Sequence, residues 1–236
     1  MTEKAFLDLL DLQALDTQVD QFLHARQSLP ELDQFKDAHE RLVALRQTGA
    51  EQEAALSETT SQLSKAEGEL ELTEKKRGSE EMRMFAGGMS SKELANLQME
   101  VEMLGRKIET AEEEILELLE IRDQQQSAFN QTSAQIAELA AEAAGLEDAI
   151  AAQWKDIDAE VAVLQERRGD YLPLIPADLL ELYEQLRPAK EGVGAARLLE
   201  GVCGGCHLSL SPAERNEVLK EDPPRCLQCR RILVPQ

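Results

Sequence analysis

Apolar residues recur at helical spacing from the start of the chain: Leu12, Leu15, Val19 and Phe22 share one face. The pattern stops at Ser28-Leu29-Pro30-Glu31. Proline breaks a helix interior but suits a first turn, and Ser28 with Glu31 three residues on matches a capping box. One short helix therefore ends here and a second begins, running from about Pro30 to about Met82. Its seam is Phe35, Ala38, Leu42, Leu45, Gly49, Gln52, Leu56, Thr59, Leu63, Ala66, Leu70 and Thr73. The alternating 3,4 spacing is a heptad pattern, with a polar lapse at Gly49 and Gln52.

Gly87-Gly88 breaks this helix. Ser90 and Glu93 give a second capping-box match, so a third helix starts at Ser91 and the segment near 83–91 is the tip of a helical hairpin. Leu94, Leu97, Val101, Leu104, Ile108, Ala111, Ile115 and Leu118 keep the seam without fault. The frame meets Arg122 and Gln125, then resumes at Phe129, Ile136, Leu139, Ala143, Leu146, Ile150, Ile157 and Leu164. No proline interrupts residues 91–168, which at helical rise would span ~115 Å. An antiparallel fold at the glycines brings Gly49/Gln52 roughly opposite Arg122/Gln125, a matched polar layer of the kind that fixes register. Helix one is expected against the far half of helix three, giving a three-helix base.

After Arg167-Arg168-Gly169 the pattern changes. Pro173, Pro176 and Pro188 punctuate a short helix, about Ala177 to Arg187, and Gly192, Gly194 and Gly201 follow. The expected organisation is a coiled-coil hairpin over 1–170, a helical joint over 171–194 and a small module over 195–236. In that module Ser211-Pro212-Ala213-Glu214 is a third helix start, for a helix over about 212–220.

Composition agrees with long surface-rich helices: 42% apolar, 30% charged and only 3% aromatic residues, with a formal charge of −21. So few aromatics disfavour a large enzyme core, while the periodic apolar seam argues against disorder. The charge opposes binding to nucleic acid or anionic membrane except locally. No apolar run approaches the ~18 residues of a membrane span, so no membrane association is expected. The first residues, MTEKAFLDLLDLQALD, interrupt their apolar stretch with acids and offer no cleavage site, which is not the form of a secretory signal. A cytoplasmic location is the expectation, and cysteines there are poor candidates for disulfides.

All four cysteines lie in the last module: Cys203-x2-Cys206, nineteen residues, Cys226-x2-Cys229. Two such pairs form a strong zinc signal. Each CxxC turn aims two sulfurs at one point, and two turns complete a tetrahedral thiolate shell. One structural Zn2+ would supply the folding energy that about 40 residues cannot draw from a core of their own. Four protein ligands leave no open position for catalysis. A redox CxxC lacks its βαβ context, disulfides suit a secreted chain, and His207 is a substitute ligand that four thiolates make unnecessary. His24 and His39 read as solvated coil residues.

Charge separates the modules. Residues 195–236 carry six basic and five acidic side chains, leaving −22 for residues 1–194. Arg225, Arg230 and Arg231 cluster at the second cysteine pair, and Lys75, Lys76, Arg77, Arg83 and Lys92 surround the tip with Phe85. These two clusters are the candidate macromolecular contacts. Phe85 alone is a weak platform for stacking bases.

The ordered motifs resemble the bacterial C4-type zinc-ribbon proteins with a long coiled-coil hairpin. The resemblance rests on Gly87-Gly88-Met-Ser-Ser-Lys92-Glu93-Leu94-x2-Leu97-x2-Glu100 at the tip and on Ile175-Pro176-x-Asp178-Leu179-Leu180-x2-Tyr183-x3-Arg187 near the joint. In the ribbon it rests on Cys203-Gly-Gly-Cys206-His207-x-Ser-Leu210-Ser-Pro212-x-Glu214 and Cys226-x2-Cys229-x-Arg231-Ile232-Leu233. It implies an all-α antiparallel coiled-coil hairpin with a C-terminal four-cysteine zinc ribbon. It also implies a non-enzymatic regulator or adaptor, of a family associated with transcription or secretion partners and with nucleic-acid binding. The family pattern has glycine after the last cysteine, where this chain has Arg230.

Three functional classes follow. The first is an adaptor that binds a macromolecular partner, most simply a protein, through ribbon and tip; Met82, Met84, Phe85 and Met89 suit an apolar contact. The second is a regulator that binds nucleic acid directly through the ribbon arginines. The third is a redox-sensitive chaperone switched at the zinc thiolates. An enzyme is disfavoured, because no phosphate loop, nucleophile–base pair or open metal site occurs. Residue pattern alone specifies neither the partner nor an oligomeric state.

Overall fold

The computed structural model describes residues 2–235, so Met1 and Gln236, the outermost residues of the expected segments, lie outside the described residues. The elements in order are α1 (Glu3–Gln27), α2 (Pro30–Phe85), α3 (Ser91–Tyr171), a 3-10 turn (Leu172–Leu174), α4 (Ala177–Ala189), β1 (Ala195–Leu199), β2 (Val202–Cys203), α5 (Pro212–Val218) and β3 (Ile232–Pro235). They form two compact units, Phe35–Gly145 and Met1–Gln34 with Leu146–Gln236.

The unit Phe35–Gly145 is the antiparallel hairpin of α2 and α3. All twelve expected seam positions of α2 are buried or half-buried, as are those of α3 except Leu94. At the tip Gly87 and Gly88 take φ of 74° and 84°, the left-handed turn that glycine allows at little cost. Ser90 then caps α3. Its N–H donates to Glu93 Oε2 at 2.8 Å, and the Glu93 N–H donates to Ser90 Oγ at 3.4 Å. These bonds hold the Glu93 carboxyl below the usual carboxylate range.

The register differs from the expected one. A Cβ at Gly49 would meet Ile136 Cδ1 at 3.2 Å and Thr132 Cγ2 at 3.7 Å. Gly49 therefore faces a point about ten residues further along α3 than Arg122 and Gln125. This register carries Gln52 to the level of Thr132 and Thr59 to the level of Gln125. Both threonines are buried, and Oε1 of each glutamine is buried with no hydrogen-bond partner among the described residues. The lapses do meet polar residues, but each glutamine sits opposite a threonine, in two separate layers.

The second unit is built on α1. Val19, with Leu15 and Phe22, packs on Val161, Leu164 and Ile157 of α3. Trp154 Nε1 donates to the Arg26 carbonyl at 3.1 Å, and the Arg26 guanidinium lies over the same indole at 4.7 Å. Phe6, Leu9 and Leu12 pack against Ile175, Leu179, Tyr183 and Leu186, and also against Ala195, Ile232 and Val234 of the sheet. The third helix of this base is thus α4. The break after α1 is also closed differently. Ser28 Oγ donates to the His24 carbonyl at 2.9 Å, and its N–H bonds to His24 and Ala25. With two residues between the helices, Ser28 ends α1 and cannot also cap α2.

The sheet order is β2-β1-β3, with β1/β2 antiparallel and β1/β3 parallel. Its inner face forms a small core of Leu198, Leu210, Val218 and Leu233 with Cys203 and Cys226. Ser211 and Glu214 complete the expected capping box of α5.

Candidate metal centre and docking residues

Two near-identical turns position the cysteines. In the first, the Cys203 N–H donates to Leu208 O at 3.0 Å and the His207 N–H to Cys203 O at 2.8 Å. In the second, the Cys226 N–H donates to Arg231 O at 3.0 Å and the Arg230 N–H to Cys226 O at 2.8 Å. The residue after each second cysteine takes a left-handed φ, 60° at His207 and 62° at Arg230. This explains the family glycine: the knuckle needs positive φ there, and Arg230 adopts it despite its Cβ.

The four sulfurs lie within 4.8 Å of one another. Sγ–Sγ is 3.8 Å for Cys203–Cys229 and 3.9 Å for Cys206–Cys226. Four sulfurs about 2.3 Å from a central zinc have tetrahedral edges of about 3.8 Å, so the cluster fits one Zn2+. The ligand set is closed, which makes the ion structural, and His207 is exposed and outside the cluster. Burial pushes the Cys203 thiol up to about 12 and raises Cys226 as well. Burial also opposes ionisation of Cys229, but hydrogen bonds from Arg231, Cys226 and Cys206 outweigh it and hold Cys229 at about 7. Zinc keeps such thiols deprotonated.

The ribbon is fastened to the helical base. Gln13 Nε2 donates to Gly192 O at 2.8 Å, and Gln13 Oε1 accepts from the N–H groups of Gly194 at 2.7 Å and Ala195 at 3.2 Å. Asp16, 1% exposed, accepts from Tyr183 Oη at 2.6 Å and Arg168 Nε at 2.8 Å, with Arg187 Nε at 3.7 Å. Arg168 also pairs with Glu184, and Arg187 with Asp20. Burial and the Asp16 carboxylate push the Tyr183 hydroxyl pKa upward. Sequence reading missed both Gln13 and Asp16. The available signal was two polar residues on the buried side of α1, between Leu12 and Val19.

The structure separates the ribbon arginines by role. Arg231 donates from Nε to Val193 O at 2.8 Å and from Nη2 to Lys190 O at 2.9 Å, stitching the last strand to the joint. Arg225 Nε donates to Arg230 O at 3.1 Å within the second knuckle. Arg230 is exposed. At the tip, Lys76 pairs across the hairpin with Glu100 at 2.8 Å, Arg77 pairs with Glu81 at 2.9 Å, Lys75 pairs with Glu71 and Arg83 with Glu80. Lys92 is exposed, and Phe85 is 88% exposed. No helix among the described residues is long and apolar enough to cross a membrane.

Residues 12–191 match the CT398-like coiled coil hairpin domain, and residues 202–233 match the C4-type zinc ribbon domain. An uncharacterized protein of Mycobacterium tuberculosis is 27% identical, over 96% of this chain and 93% of its own. The fold is similar to a solved Mycobacterium smegmatis structure (TM-score 0.87, 23% identity, 100% of this chain and 99% of that one). It is also similar to CT398 from Chlamydia trachomatis (TM-score 0.77, 20% identity, 98% of each chain). With its coiled-coil hairpin and four-cysteine cluster, the chain belongs to the CT398-like coiled-coil hairpin family and ends in a C4-type zinc ribbon.

Proposed function

We propose that the protein is a non-enzymatic adaptor that binds a partner protein through its zinc ribbon and its hairpin tip. The observation that carries this reading is the character of the tip. Phe85 and Met82 are exposed apolar side chains, while Lys75, Lys76, Arg77 and Arg83 are held by glutamates. An apolar surface with four of its five nearby cations already paired, Lys92 being the exception among the described residues, suits a protein better than a phosphate backbone. The closed zinc shell supports a holding role for the ribbon, and four cysteines gathered as one metal-ligand set fit a reducing compartment such as the cytoplasm.

Direct nucleic-acid binding by the ribbon is the second reading, favoured by exposed Arg230 beside Arg225 on the knuckle. Capture from native lysate, with nuclease added to one half, separates the two. The adaptor reading expects a protein that survives nuclease and is lost with Phe85→Ser. Loss of all captured material after nuclease, with steep salt dependence abolished by Arg230→Ala, supports the nucleic-acid reading instead.

A further inference from the structure

Five of the six methionines of the chain lie between residues 82 and 103: Met82, Met84, Met89, Met99 and Met103. Their placement divides them. Met84 continues the α2 seam and is half-buried, as is Met89 in the turn. Met82 lies midway between the half-buried positions Glu80 and Met84, and Met99 midway between Leu97 and Val101. Both therefore sit on the solvent side of their helices, at 72% and 62% exposure, and Met103 is 43% exposed. Solvent-side positions of a coil gain nothing from a thioether and elsewhere in this hairpin are mostly Glu, Gln, Lys and Ala. The four cysteines are gathered in the zinc cluster, where Cys203 and Cys226 are buried. The sulfur most open to a solvent-borne oxidant is thus concentrated at the tip.

We propose that the tip is a methionine-oxidation site, with Met82 and Met99 as primary targets and Met103 following, for a two-electron oxidant of the hydrogen peroxide class. A thioether lone pair attacks one peroxide oxygen and the O–O bond breaks. The sulfur gains that oxygen and loses two electrons, and the other oxygen leaves as water after taking the proton. The product sulfoxide is polar and chiral where the thioether was apolar and flexible. As a means of regulation this rests on the tip being a docking surface: oxidation would turn Met82, one helical turn before Phe85, and Met99 on α3 polar while the seam and the zinc remain intact. Reduction of the sulfoxide by a thiol-dependent reductase would restore it.

The test treats the full zinc-loaded chain with hydrogen peroxide and follows three readouts: site-resolved mass, zinc release to a chromophoric chelator, and retention on a phenyl matrix. The expected result is oxygen addition at Met82 and Met99 several-fold faster than at Met84 and Met89, with zinc still bound. Retention should fall to the level of Met82→Gln/Met99→Gln and return after sulfoxide reductase treatment. Equal rates at all five methionines would overturn the proposal, as would zinc loss preceding methionine oxidation or unchanged retention of the oxidised chain. None of these readouts needs the partner, so failure of the docking reading shows separately, as an unoxidised chain whose capture of a partner does not depend on Phe85.

Discussion

Replacing Arg230 by glycine should tighten zinc binding. Arg230 holds φ at 62°, and a residue with a Cβ in the left-handed region costs ~1–2 kcal/mol. The bonds that define the knuckle are made by its backbone: its N–H donates to Cys226 O at 2.8 Å, and its carbonyl accepts from Arg225 Nε at 3.1 Å. Glycine keeps both. It gives back roughly 0.5–1 kcal/mol through its freer unfolded chain, leaving a net gain of about 0.5–1 kcal/mol. Because ribbon folding and metal binding are linked, this gain reads out as a factor of about two to five in apparent zinc affinity. Competition with a chromophoric chelator measures it. Arg230→Ala is the control, since it removes the guanidinium but keeps the Cβ and should stay close to the parent. An Arg230→Gly affinity equal to or weaker than that of Arg230→Ala would refute the argument that backbone strain, not side-chain chemistry, decides this position.

Gly194→Ala should destabilise the unit containing the ribbon by about 1–3 kcal/mol in urea titration, because a Cβ there lies 2.7 Å from the Tyr183 ring and 3.0 Å from its carbonyl. Asp16→Asn leaves Arg168 and Arg187 facing a neutral, nearly buried partner; a loss of about 3 kcal/mol is expected, read from Trp154 fluorescence at the α1–α3 contact. Gln125→Leu removes a buried orphan carbonyl and should raise hairpin stability by about 1–2 kcal/mol in the same titration. Zinc affinity should fall as the pH is lowered, because zinc must displace the proton of Cys203, whose pKa is pushed up to about 12; calorimetry in buffers of different ionisation enthalpy should show protons released on binding.

Elements dictated by local spacing were legible in the sequence. The 3,4 seam, the Gly87-Gly88 break, the Ser90 and Ser211 caps and the paired CxxC motifs each depend on residues close together in the chain, and all appear as expected. Features that depend on meeting a distant element were not. Ser28 carries the side chain of an N-cap, but with so short a break its hydroxyl turns back to His24. The polar lapses were visible, yet pairing each glutamine with a threonine required the register that Ile136 sets by packing over Gly49. Sequence proximity groups Arg231 with Arg225 and Arg230 as a candidate macromolecular contact. Its role became apparent only where the last strand meets the carbonyls of Lys190 and Val193. Gln13 and Asp16 were obscured for the same reason, since the partners that tie them to α3, α4 and the ribbon joint lie more than 150 residues away.

The most direct test of the adaptor account is hydrogen exchange on the chain alone and with its captured protein partner. Binding should protect residues around Phe85 at the tip and around the two knuckles of the ribbon, leaving the central seam of α2 and α3 unchanged. Protection confined to the central hairpin, or to the ribbon arginines and only in the presence of nucleic acid, would contradict it.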